Sequence, residues 1–440
     1  MLRIVFPLIA TFVLAISQVS WGDTSDDSLK AAQAALTERV DGMAETAAIM
    51  TSDISLLKRL KVSGYVQGRY ETNDSSRSGV GGGYDVTKNL NANNFYIRRG
   101  RIKFTFEANA SSKFVIYLDG SKNSISMKEA YLELNKLHRE HSFKLTAGQF
   151  NYPFGYEIEY SSSKRDFPER SLAENRLFRG ERDRGVNLTW TAPRLLQANL
   201  GFVQGYGIEN STFTWFDPTK QKDIIGRVKA TLGMVDVGFS TYWGETYTPG
   251  SAPVAAAPAS TKWVDANLNE EIDEGEVTNT PAVAAKPAGM AVNTDKIRYG
   301  LDAQAYFDVL PIGGTALRWE FYYGEDYQKA STDLVGISKG WYLWLSQSLG
   351  TKFGAAIRYD FFDPNIHSDY AEADPSKLAV LSNDAVGTTS IAVHYFWDAN
   401  VRITAAYDIF KTLEDGSMFS KYDGDVDDNR FTLQFQFAID

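Results

Sequence analysis

The stretch from Phe95 to Glu107, read at strand spacing, sets Arg99, Arg101 and Lys103 in a row on one face, continued by Thr105 and Glu107. The opposite face carries Arg98, Gly100, Ile102, Phe104 and Phe106. Three cations about 6.5 Å apart along one strand require an anionic partner, either carboxylates brought in from elsewhere or a passing anion. Guanidinium groups suit phosphate and carboxylate because the planar fork makes paired hydrogen bonds and keeps its charge. Continuing the alternation places Lys144, Arg227, Arg298, Arg318, Arg358 and Arg402 on corresponding faces. The same faces hold Asp119, Glu129, Glu133, Asp302, Glu320, Asp360 and Asp408. Each arginine therefore has an alternative role, pairing with a neighbouring strand's acid to stiffen a wall.

Other chemistry is sparse. The four histidines are His138, His141, His367 and His394, and His394 shares a face with Ser390. Four residues of strand separate that pair by about 13 Å, too far for a proton relay, so an enzymatic reading ranks last. Zinc spacing, a phosphate-cradling glycine loop and a nucleotide fingerprint are all absent, and no cofactor is expected. One metal pattern stands out. Asp265, Asn267, Asn269, Glu271, Asp273 and Glu276 fall at positions 1, 3, 5, 7, 9 and 12 of a Ca²⁺ loop, although Glu270 occupies the place where the turn favours glycine. An acidic loop without metal is the competing reading.

The elements that must carry these residues are strands. From Leu60 to the C-terminus the apolar pattern has period two, beginning with Ser63, Tyr65, Gln67 and Arg69 opposite Val62, Gly64, Val66, Gly68 and Tyr70. It ends with Phe431, Leu433, Phe435, Phe437 and Ile439 opposite Arg430, Thr432, Gln434 and Gln436. About sixteen such segments, separated alternately by short turns and long polar loops, predict an all-β fold, a transmembrane antiparallel β-barrel with its cations facing the lumen. Heavy aromatic content, with 23 Tyr, 26 Phe and 9 Trp, also fits a soluble sandwich or propeller, so composition alone does not decide. Pairs such as Tyr242 with Trp243 and Tyr322 with Tyr323 are read as an interfacial belt. Beyond the N-terminus no run approaches the ~18 apolar residues of a membrane helix, which excludes a helical membrane protein. A net charge of −10 argues against nucleic acid, and the lack of cysteine excludes disulfides and thiolate metal sites.

Residues 1–22 read as a signal peptide, with Arg3, an apolar run from Ile4 to Ile16, and small residues Ser20 and Gly22 before the cleavage point. Residues 23–60 read as a periplasmic heptad helix. Leu29, Leu36, Met43, Met50 and Leu57 recur every seventh residue, with Gln33, Val40, Ala47 and Ile54 at the companion position. That is a short α-helical coiled-coil segment, with a lone helix on the barrel mouth as the alternative. The barrel takes 61–440. It carries an arginine-rich loop at 151–184, expected to fold inward as a constriction unless it is a solvated surface loop, and a long Ala-, Pro- and Thr-rich surface loop at 245–295.

Four segments bear a family resemblance. Phe95 to Lys103, then Lys128-Glu129-Ala130-Tyr131, then Ala147-Gly148-Gln149-Phe150 leading into Pro153-Phe154-Gly155, and finally Arg182-Asp183-Arg184-Gly185-Val186 resemble the successive signatures of the phosphate-selective porin O and P family. The resemblance implies a trimeric barrel in the outer membrane of a Gram-negative bacterium, a third loop folded inward and an arginine-lined anion route. In it the paired arginines correspond to Arg98 and Arg99. The expected function is passive diffusion of small anions, phosphate foremost, with lipid and sister subunits as the other partners. A general, weakly selective porin and a structural barrel tethered by the coiled coil are the alternatives.

Overall fold

The computed structural model describes residues 26–73, 93–121, 124–178, 180–193, 195–208, 219–248, 258–263, 277–281, 292–331, 334–364, 366, 385–413 and 429–439. The signal-peptide region and the six Ca²⁺-loop residues, Asp265 to Glu276, lie outside them.

Two units are distinct, one ending at Leu60 and the other beginning at Lys61. The first contains a helix, Asp26–Leu57. Its Leu36, Val40, Met43, Met50 and Leu57 are each at least half exposed. No helix among the described residues is long and apolar enough to cross a membrane.

The second unit is a closed antiparallel barrel of sixteen strands, with a separate two-stranded hairpin. In chain order the strands are β1 (Leu60–Asn73), β2 (Asn93–Asn109), β3 (Ser112–Ser121), β4 (Ser124–His138), β5 (His141–Asn151), β6 (Arg182–Thr191), β7 (Leu196–Val203), β8 (Asp223–Leu232) and β9 (Val235–Thr248). There follow β10 (Ser260–Trp263), β11 (Val277–Thr280), β12 (Val292–Leu310), β13 (Gly313–Ser331), β14 (Leu334–Leu349), β15 (Phe353–Asp363), β16 (Ala385–Phe396), β17 (Val401–Leu413) and β18 (Arg430–Ile439). Successive barrel strands pair as neighbours, and β18 returns to β1 with Gln67 opposite Gln436 and Arg69 opposite Gln434. Closure matters because an open edge in lipid would leave backbone N–H and C=O groups without partners.

The burial pattern is inverted relative to a soluble protein. Phe114, Leu132, Leu188, Phe239, Leu301, Leu343, Ile391 and Phe437 face outward and are exposed, whereas Gln67, Arg69, Arg227, Asp302, Glu320, Arg358, Asp408 and Gln434 face inward and are buried. Period two in the sequence thus becomes an apolar skin around a polar interior.

Three sequence expectations are corrected. Tyr242 and Tyr322 do not join an interfacial belt. Consecutive strand residues face opposite sides, so these two point inward and are almost fully buried, while Trp243 is half exposed on the outside. The 245–295 segment is not wholly irregular: β9 runs to Thr248, β12 starts at Val292, and β10 pairs with β11 through Trp263 opposite Val277. The Ca²⁺ pattern itself, Asp265 to Glu276, falls in sequence between β10 and β11, outside the described residues. The arginine-rich loop is shorter than 151–184, because Asn151 closes β5 while Arg182 and Arg184 open β6.

Candidate functional site: a loop held inside the barrel by arginines

Between β5 and β6 the chain leaves the wall and crosses the interior. The turn Pro153-Phe154-Gly155 begins the excursion, and Gly155, at φ +61°, takes a left-handed conformation against the Glu320 carboxylate that a Cβ would strike. The next two backbone N–H groups, of Tyr156 and Glu157, donate to Glu320 at 2.9 and 3.1 Å, and Tyr342 adds its hydroxyl at 2.8 Å. Ser240 accepts from the Gly155 N–H at 2.9 Å. Farther along, Glu157 accepts the Ser171 N–H and hydroxyl, and Asp360 accepts the Leu172 N–H at the start of a short helix, Leu172–Leu177.

Aromatic packing complements these bonds. Phe154 stacks at 6.5 Å on Tyr322 and lies 4.5 Å from Phe178, while Phe167 meets the edge of Trp344 at 5.5 Å. All are nearly inaccessible. Burial of each ring is worth about 1.5–3 kcal/mol, so the loop has a small core of its own inside the barrel.

Eight of the ten expected cations reach this loop. Arg98 and Arg99 both donate to Glu169, at 2.7 and 3.1 Å. Strict alternation assigns Arg98 to the outer face; the loop carboxylate instead lies where both neighbours reach it. Arg101 donates to Asp119 at 2.8 Å and to the loop hydroxyl of Ser162 at 2.9 Å. Arg227 pairs with Glu159 and Asp302, Arg318 with Asp166 and the Tyr156 hydroxyl, and Arg358 with Glu157 and Asp360. Arg402 donates to the Ser163 carbonyl, and Arg298 lies 4.9 Å from the centre of the Phe178 ring. The other two stay on the wall, Lys103 beside Glu129 at 3.5 Å and Lys144 beside Glu133 at 3.8 Å. Most of these arginines thus hold the loop as well as charging the lumen.

Sequence reasoning did not single out the loop's own anchors. Glu169 accepts from Arg69 at 2.6 Å as well as from Arg98 and Arg99. Burial alone would raise the Glu169 carboxyl, but Arg98, Arg99 and Arg69 together hold it well below the usual carboxylate range. Glu174 behaves oppositely: burial pushes it up to about 7 despite the 2.9 Å ion pair with Arg170, because Glu157 is also near. The Pro153-Phe154-Gly155 turn was the available signal, marking where the chain departs but not what receives it.

Three cavities adjoin the loop. One of about 540 Å³ lies against β1–β7, where Arg101, Lys103, Lys144, Lys164, Arg170 and Arg182 face Glu129, Glu133 and Glu159, six basic side chains to three acidic. Tyr117 lies there with Arg101, Lys103 and Arg182 each within about 6 Å of its ring centre. A second, of about 290 Å³, is lined by Arg98, Arg99, Arg165 and Arg170 with Glu169 and Glu181. The third, also about 540 Å³, lies against β12–β16 and holds Arg318 and His394 with Asp166 and Asp308. Ser390 and His394 make no joint site, since Ser390 donates to Asp408 and His394 Nδ1 meets the Thr404 hydroxyl. No cluster suited to a metal ion occurs among the described residues.

Comparison with known proteins agrees with this architecture. The profile of the phosphate-selective porin O and P family matches residues 63–205. No curated protein sequence matches the chain. Among solved structures, the outer membrane channel DcaP of Acinetobacter baumannii is similar with a TM-score of 0.54 at 11% identity, over 86% of this chain and 97% of that one. OprB of Pseudomonas putida is similar with a TM-score of 0.54 at 10% identity, over 88% and 96%. The family match over residues 63–205, on a closed barrel with an apolar exterior, indicates a place in the Gram-negative outer membrane.

Proposed function

We propose that this chain is a porin that passes small anions by passive diffusion, with phosphate the leading solute. The observation that carries the reading is the two-to-one excess of basic over acidic side chains in the cavity against β1–β7. Opposite charges about 10 Å apart in water attract by about 0.4 kcal/mol, so each lining cation in excess of its ion-pair partners raises local anion concentration roughly twofold before salt screens it. The resemblance to phosphate-selective porins names phosphate, and Arg98, Arg99 and Arg101 supply the guanidinium chemistry it needs.

The test is a reversal potential in a potassium chloride gradient across a planar bilayer. Replacing Arg101 and Lys103 together by alanine leaves four basic side chains facing three acidic ones in that cavity. The anion-to-cation permeability ratio is expected to fall about three- to tenfold, according to salt. An unchanged ratio refutes the reading.

The weakly selective alternative draws on the cavity against β12–β16, where two aspartates face one arginine. A lumen basic along one wall and acidic along another would discriminate poorly, and a ratio near one in the unaltered protein would favour it. A purely structural barrel predicts no conductance. Assembly as a homotrimer belongs to the same proposal, supported by the exposed heptad positions of Asp26–Leu57, which a coiled coil would cover.

A further inference from the structure

The cavity of about 540 Å³ against β12–β16 brings together two acceptors that no donor reaches among the described residues. His394 is almost wholly buried, its Nδ1 meets the Thr404 hydroxyl at 3.0 Å, and its Nε2 has no hydrogen-bond partner. Asp166 Oδ1 lies 3.8 Å from that Nε2, too far for a hydrogen bond. The other carboxylate oxygen, Oδ2, takes the Trp344 indole N–H at 3.1 Å and Arg318 at 3.4 Å, whereas Oδ1 accepts no hydrogen bond among the described residues. With the His394 proton on Nδ1 and donated to Thr404, one donor placed about 2.9 Å from each would bridge Nε2 and Oδ1.

The charge of the cavity calls for that donor to be a cation. Arg318 is already committed: besides Asp166 it donates to the Tyr156 hydroxyl at 3.0 Å and to Ser346 at 2.9 Å, and its guanidinium lies 4.5 Å from the centre of the Trp344 ring. Asp308, exposed near the end of β12, takes part in no ion pair or hydrogen bond among the described residues. With Asp166 and Asp308 set against Arg318, the lining is one positive charge short. Its walls are also aromatic. Phe396 lies 6.3 Å from the His394 ring, and Tyr306 is 43% exposed to the same space. Aromatic faces attract organic ammonium ions, whereas a hard metal ion takes a shell of oxygen ligands. A cavity of about 150 Å³ is enough for a benzene ring, so a ring and an amine both fit.

We propose that this cavity binds an organic solute carrying one ammonium group and an apolar or aromatic body. The ammonium donates to Asp166 Oδ1 and His394 Nε2, the body rests against Phe396 and Tyr306, and Asp308 draws the charge in. Asp308 stands just before the short turn between β12 and β13, which end and begin at Leu310 and Gly313. Short turns of such barrels face the periplasm, so the mouth of the site is on that side. The site uses a different wall from the basic cavity against β1–β7 and does not depend on the anion reading above.

Calorimetric titration of the full-length detergent-purified protein, at low and constant ionic strength, tests it with 2-phenylethylammonium as the probe. One saturable probe ion per chain is expected. Ethylammonium, which lacks the ring, is expected to bind about tenfold more weakly, and excess phenylacetate, the anion of matching shape, should not displace the probe. Asp166→Asn is expected to weaken the probe about tenfold or more. Because that change also touches the loop's bonds to Arg318 and Trp344, two variants on the wall accompany it. His394→Phe keeps a ring but loses Nε2 and should weaken the probe about fivefold; Asp308→Asn should weaken it about threefold, an effect that fades in high salt. No saturable binding in the parent protein, displacement by phenylacetate, ethylammonium binding as tightly as the probe, or unaltered affinity in either wall variant would each overturn the proposal. Amine binding in a channel with a permeability ratio near one would sink the anion-selective reading alone; an anion-selective channel without amine binding would sink only this site.

Discussion

Glu320→Ala should loosen the loop and make the channel noisy. The Glu320 carboxylate accepts the N–H groups of Tyr156 and Glu157 and the hydroxyl of Tyr342 at 2.8–3.1 Å, in a site with no solvent exposure. Alanine leaves two buried backbone donors unpaired, each costing about 1–3 kcal/mol. A total of about 2–6 kcal/mol, at 1.4 kcal/mol per factor of ten, raises the ratio of released to docked loop by at least roughly 30-fold. The Ser240 contact, the Asp360 contact and the aromatic core remain, so the expectation is transient release rather than a permanently open barrel. Glu320→Gln keeps one acceptor oxygen and should fall between the two. Tyr342→Phe removes only a donor to the carboxylate and should cost about 1 kcal/mol. The assay is single-channel recording in concentrated potassium chloride, where loop release appears as brief excursions to higher conductance. If Glu320→Ala matches the parent protein in both unitary conductance and open-channel noise, the carboxylate does not hold the loop.

Two further expectations concern stability and assembly. Glu174, raised from 4.5 to about 7 by burial, holds a proton in the folded state that the unfolded chain has released, so stability should fall as pH rises from about 4.5 to about 7, by at most about 3 kcal/mol. Glu174→Gln should flatten that part of the thermal-midpoint profile in detergent, and an undiminished slope would assign the dependence elsewhere. On the N-terminal helix, Leu36→Glu combined with Met43→Glu places two charges on the exposed heptad seam and should lower the temperature at which the oligomer dissociates by several degrees. Dissociation at the parent temperature would leave the seam without a role in assembly.

What the amino-acid order determined by itself is the wall. A strand bounded by oil on one side and water on the other must alternate, and that rule acts between residues two apart, so it is readable in any short window. Tyr65, Gln67 and Arg69 in β1 and Arg430, Thr432 and Gln434 in β18 face the interior as their alternation predicts, and the barrel closes with sixteen strands. Alternation fails at Arg98, because reach to a carboxylate that arrives from outside the strand is not a local property.

Only the tertiary structure decided which cations are neutralised and which remain open to solute. Arg69 meets Glu169 across 100 positions of chain and Arg358 meets Glu157 across 201, distances over which periodicity carries no information. The outcome depends on the path of a single loop, set by its turn at Gly155 and its aromatic packing on Tyr322 and Trp344. A sequence reports how much charge the lumen contains; where that charge is cancelled is fixed by contacts that exist only once the barrel has closed around the loop.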